Sequence, residues 1–294
     1  FVSDKGSGAK YPLSKFGFGL KGPQGAVVHY YPDRIFVDTA GTTHARASCF
    51  FDVTSLVKEQ GYGTYTAVNI PFTAMSDFSA SYGSDYFGAW KLVLVEKDAA
   101  APVRMVRLML GGTSVSNTTP ASATISGDGL SIAPNPTGEV LASLDGTDMD
   151  CFQKLNLGVD SSAPASVRYV DETGKTLFPL KHFFYFRIFN KDGDVSTNPG
   201  PSGTKASTAA DTSKNDNVAA NTHTYNTDFT LVDLDRLRFG DSGDKKVLNG
   251  GEKSVKATVS TSDAPTLLSA LGLAADILTP TFETSLTVTN LTQQ

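Results

Sequence analysis

The residues best placed to do chemistry in this chain are aspartates set in glycine-rich turns. Asp192-Gly193-Asp194 offers two carboxylates on either side of a glycine, and Asp145 with Asp148 and Asp150, and Asp241 with Asp244, repeat the theme. Carboxylate oxygens gathered on a tight turn suit calcium, a hard cation that takes oxygen ligands. None of the three groups has the closing glutamate of the helix–loop–helix calcium motif. Asp and Gly are also the everyday residues of β-turns. Asp192 and Asp194 are the leading pair for an optional calcium ion, and no cofactor is required.

Aromatic side chains cluster at Tyr82, Tyr86, Phe87 and Trp90. Tyr82 and Tyr86 flank Gly83, Ser84 and Asp85, a polar setting that favours exposure and stacking against sugar rings. Trp90 opens an apolar run and reads as a core residue anchored by its indole N–H. Cys49 and Cys151 could form one bridge in an oxidising compartment, closing a loop of about 100 residues. The alternative is two separate buried thiols acting as small hydrophobes.

Enzyme signatures are missing. His29, His44, His182 and His223 are scattered without the spacing of a zinc site. There is no CxxC, nucleophile elbow, P-loop or dinucleotide fingerprint. Nothing selects two convergent carboxylates from the acidic residues, so a non-enzymatic role is expected. The net charge of −5, with basic residues spread along the chain, argues against nucleic acid as a partner. No apolar run reaches the roughly 18 residues of a membrane-spanning helix.

The elements that position these residues read as strands. Charged residues make up only 19% of the chain, and Ser, Thr, Asn and Gly fill the difference, a balance suited to short strands and polar turns. Strand patterns fall at 26–31, 34–38, 46–53, 64–70, 104–110, 138–144, 151–157, 166–170, 182–189 and 253–260. The run at 89–96 is apolar almost throughout and predicts a strand buried on both faces. Residues 52–58 predict a single helical turn capped by Asp52 or Thr54. Residues 264–277 predict one short helix near the C-terminus, with Asp263 as its cap and Leu267, Leu268, Leu271 and Leu273 as its body. Residues 282–291 alternate, with Phe282, Leu286 and Val288 on one side.

The expected fold is all-β, a sandwich or jelly roll. Residues 1–25 form an extended arm, 26–160 a first half or domain, and 161–294 a second one carrying a long loop at 191–224. The absence of an initiating Met fits a leader removed before Phe1 or a trimmed chain.

Five segments carry a family resemblance: Val28-His29-Tyr30-Tyr31; Asp52-Val53-Thr54-Ser55-Leu56-Val57; Gly63-Thr64-Tyr65-Thr66; the stretch from Gly88-Ala89-Trp90 to Glu96-Lys97-Asp98; and Ala101-Pro102-Val103-Arg104. Together they resemble an uncharacterised β-sandwich domain of secreted bacterial and archaeal cell-surface proteins, over about a third of the chain. The resemblance implies surface exposure, often in adhesive or wall-associated proteins, and brings no catalytic residues. The leading expectation is an extracellular subunit that self-assembles into a filament, sheath or coat. In that reading strands are added between copies, with 282–291 as the candidate donor. The alternative is an adhesive module that binds cell-surface polysaccharide through Tyr82 and Tyr86, with or without calcium.

Overall fold

Alternating apolar residues in 138–145, 153–159 and 254–261 do what their period of two dictates: each segment is a strand with one side turned to a shared core. The computed structural model describes residues 2–5, 17–38, 44–70, 90–116, 118–126, 131–145, 153–178, 180, 183–184, 188–190, 193–194, 227–261 and 266–278. The N-terminal part holds β1 (Val2–Lys5), β2 (Phe18–Lys21), β3 (Val27–Tyr30), β4 (Arg34–Asp38), β5 (His44–Phe50), α1 (Thr54–Gln60) and β6 (Thr66–Val68). There follow β7 (Arg104–Val115), β8 (Ala121–Ser126), β9 (Gly138–Asp145), β10 (Gln153–Val159), β11 (Ala165–Val170) and β12 (Thr176–Phe178). The remaining strands are β13 (Ile188–Asn190), β14 (Gly193–Asp194), β15 (Thr227–Asp233), β16 (Leu237–Phe239), β17 (Ser254–Thr261) and β18 (Thr266–Asp276).

Two large sheets carry the fold. Sheet I runs β12-β11-β10-β17-β8 with β16 also beside β11, and sheet II runs β14-β13-β15-β9-β18-β7. The strands β11-β10-β17-β8 and β15-β9-β18-β7 are antiparallel throughout. Chain-consecutive strands (β7 and β8, β9 and β10, β17 and β18) take matching places in the two sheets, which is the strand order of a jelly roll. Strands from before and after residue 160 are neighbours in both sheets: β10 and β8 flank β17, and β9 and β7 flank β18. Two three-stranded sheets, β1-β5-β4 and β3-β2-β6, precede this sandwich.

Between the large sheets lie Val140, Ala142 and Leu144 of β9, Leu155 and Leu157 of β10, and Val255, Ala257 and Val259 of β17, all essentially buried. Burying each such Val or Leu contributes about 1.5–3 kcal/mol. One end of the core is aromatic: Tyr169 stacks on Phe178, which meets Phe183 edge-on, and Phe183 meets Phe184 in the same way.

Two expectations are corrected. Residues 264–277 are not a helix: 266–276 form β18, the strand between β7 and β9. Both of its faces are covered, so its apolar residues run nearly unbroken, and such a run has no period that separates helix from strand. The α-helix described is α1, far from the C-terminus. Asp52 Oδ1 accepts the Thr54 backbone N–H at 2.9 Å, Leu56 is buried, and Gly61 ends the helix at φ 69°. Trp90 and the residues after it form no strand, and Trp90 is exposed. This run is a strap laid across the outside of sheet II.

Candidate functional site

The outer face of sheet II is unusually apolar. Leu141 of β9, Phe229 and Leu231 of β15, Val106, Leu108 and Leu110 of β7, and Gly272 of β18 share it. In an antiparallel sandwich such a face must be covered or matched to a partner. The strap covers part of it, since Leu92, Val93, Leu94 and Val95 line a small cavity of ≈ 180 Å³ together with Leu108, Leu141 and Leu231.

Polar contacts pin the strap at both ends. Tyr62 OH, just past α1, donates to the Glu96 carboxylate. At the other end, Lys91 Nζ donates to Asp145 Oδ1 at 2.8 Å and to Ser143 Oγ at 2.7 Å. Ser143 Oγ is in turn 2.6 Å from Ser269 Oγ, which donates to the Ser143 carbonyl at 3.1 Å. Ser143 and Asp145 are 1% and 2% exposed although they lie on the outer side of β9. The strap therefore ties down a polar cluster that the strand alternation alone would place in water.

Beside this cluster opens a cleft of ≈ 640 Å³. Its walls come from β2 (Phe18), β5 and the residues after it (Ser48, Phe50, Phe51), the strap (Trp90) and sheet II (Leu108, Leu110, Phe229). The N-terminal module meets β7 closely, because a β-carbon at Gly112 would come 2.5 Å from Phe36 Cβ. A serine beside a lysine can suggest a nucleophile and its base. Here Lys91 Nζ is directed at the Asp145 carboxylate as well as at Ser143 Oγ, so it ties the strap to β9. The cluster reads as a lock that holds the strap to the sheet.

The residues singled out from sequence are distributed as follows. Asp145 is the ion-pair partner of Lys91, while Asp148, Asp150 and Asp192 lie outside the described residues. Asp194 belongs to β14. Asp244 is paired with Arg238, whose guanidinium holds its carboxyl below the usual range, and Asp241 is exposed. Among the described residues no group of three or more His, Cys, Asp and Glu side chains is placed to hold a metal ion. Cys49 is a free, half-buried thiol on the cleft wall, and burial pushes its pKa up. Cys151, Tyr82, Tyr86, Phe282, Leu286 and Val288 lie outside the described residues.

Lys91, Ser143, Ser269 and Ser48 were not anticipated. One signal was present: a lysine inside the apolar run Trp90-Lys91-Leu92-Val93 needs an acceptor, and Asp145 ends a strand otherwise rich in apolar residues. Comparison with protein-family models, curated proteins and solved structures gives no match to the chain.

Proposed function

We propose that the chain is a non-enzymatic, self-assembling subunit of an extracellular filament, sheath or coat, joined to its copies along sheet edges. The observation that carries this reading is β7. It is the longest strand described, it lies at the edge of sheet II, and its Val106, Met109 and Leu110 are exposed. A long edge strand with apolar side chains is a template for pairing with another chain, and between Arg104 and the seat of β4 at Gly112 this one keeps those apolar side chains in the open. Val103, just before β7, and Leu94 and Val95 of the strap extend the exposed apolar surface nearby. Copies that add a strand at such an edge gain main-chain hydrogen bonds for affinity and side-chain pockets for register. The low charge content and the richness in Ser, Thr and Gly agree with an extracellular setting.

Electron microscopy and light scattering of the purified chain test this. Wild-type protein is expected to form regular filaments or sheets, and Val106→Lys with Met109→Lys is expected to give a folded monomer. Removal of 282–294 asks separately whether the alternating Phe282, Leu286 and Val288 segment is the donated strand. A wild-type chain that stays monodisperse and monomeric at high concentration would overturn the reading.

A further inference from the structure

Ser48 sits in β5 directly opposite Phe36 of β4 and is only 4% exposed. Its hydroxyl has no hydrogen-bond partner among the described residues. Buried hydroxyls are nearly always satisfied, so a lone one calls for an explanation. Of the partnerless buried side-chain atoms among the described residues, Ser48 Oγ is the one whose residue lines the cleft.

We propose that this cleft binds a neutral, largely apolar small molecule whose single hydroxyl or carbonyl group is directed at Ser48. At ≈ 640 Å³ the space falls within the range of about 300–1,000 Å³ typical of small-molecule sites. Phe18, Phe50, Phe51 and Trp90 supply flat apolar walls, with Leu108 and Leu110 of β7 opposite. Such walls take a chain or ring system and give it no use for charge.

The polar groups around the cleft explain why the molecule is neutral. Lys91, Asp145, Ser143 and Ser269 are bonded to one another. At the rim, where Arg34 and Asp52 are exposed to solvent, Asp33 Oδ2 accepts the Asp52 backbone N–H at 2.6 Å and Asp52 Oδ1 accepts the Thr54 N–H. These exposed charges stay at the rim, and a carboxylate or ammonium carried past them against the aromatic walls would lose its water. Ser48 remains, and a serine hydroxyl can donate to a carbonyl or accept from an alcohol. The site thus has the usual build of a ligand pocket, with broad apolar walls and one well-placed polar group.

Trp90 is the only tryptophan of the chain and lines the cleft, so its emission reports on occupancy. The probes are 1-decanol, decanoate and decylamine, titrated into the full chain at a concentration where it is monomeric. Saturable change of Trp90 emission by 1-decanol is expected, with the two charged probes weaker by about tenfold or more. Ser48→Ala is expected to fold at least as well as wild type, since it removes an unsatisfied buried group, and to weaken 1-decanol roughly fivefold. Absence of saturable 1-decanol binding, tighter binding of a charged probe, or an affinity unchanged in Ser48→Ala would each overturn the proposal. Because the readout is taken on the monomer, it stands or falls separately from assembly.

Discussion

Lys91 Nζ lies 2.8 Å from Asp145 Oδ1, and this contact fastens the strap to the middle of sheet II. Asp145 is almost wholly buried, and Lys91 is mostly so. Removing one partner of a buried pair leaves the other charge poorly compensated, so Lys91→Met is expected to destabilise the protein by about 3 kcal/mol. The double substitution Lys91→Met with Asp145→Leu should recover most of that loss, because the charge that needed solvation is gone. Urea unfolding of wild type, Lys91→Met and the double variant checks this. A loss below about 1 kcal/mol in Lys91→Met would put the pair on a par with surface bridges.

Asp276 should set part of the acid limit of stability. Burial pushes its carboxyl up, but hydrogen bonds from Thr137 Oγ1, Arg104 Nε and the Thr137 backbone N–H outweigh that and leave it below the usual carboxylate value. A depressed pKa in the folded state contributes stability above the unfolded value of about 3.9. That contribution is lost as pH falls through the folded value. Asp276→Asn is expected to lower stability at neutral pH and to flatten the acid limb of a stability–pH curve. An acid limb as steep as that of wild type would assign the dependence to other groups.

Gly112 tests how the N-terminal module is seated. A β-carbon there meets Phe36 Cβ at 2.5 Å and the Phe36 carbonyl oxygen at 3.3 Å, so Gly112→Ala must push β4 away from β7. Overpacking of this kind costs about 1–3 kcal/mol. Hydrogen exchange should quicken in β4 and β5 while β9, β10 and β17 keep their protection. Loss of protection spread evenly through the sandwich would show that the module and the core open together.

Two leucines in apolar runs should respond very differently to truncation. Leu144 of β9 is 0% exposed in the core, and Leu144→Ala is expected to cost about 2–5 kcal/mol. Leu94 of the strap is 45% exposed, and Leu94→Ala should cost less than about 1 kcal/mol. Thermal unfolding of the pair checks the contrast, and equal losses would put the strap inside the core.

Much of the sandwich was legible because its strands obey simple alternation. The patterns at 104–110, 138–144, 151–157, 166–170 and 253–260 correspond to β7, β9, β10, β11 and β17 to within a few residues at most ends. The two failures were unbroken apolar runs. In 264–277 the leucines and alanines favour a helix locally, yet the gap between β7 and β9 makes that segment a strand. In 90–95 the same kind of run seemed to demand a buried strand, yet its side chains cover the outside of a sheet. An apolar run says that a surface will be covered without saying by which geometry. The cleft was harder still to read, since Ser48 and Asp145 are ordinary polar residues in strands until the fold seats β4 and β5 against β7 and places both residues on one cleft.

The place of β18 has a consequence for synthesis. Sheet II keeps β7 and β9 apart by one strand, and that strand is made well after both of them. Until residue 276 has emerged, two strands of the nascent chain wait for a neighbour whose codons come more than a hundred positions later. Closure across such separations is slow, and half-built sheets are prone to join the wrong chain. The chain therefore passes through a stage in which β7 and β9 lack the strand that joins them.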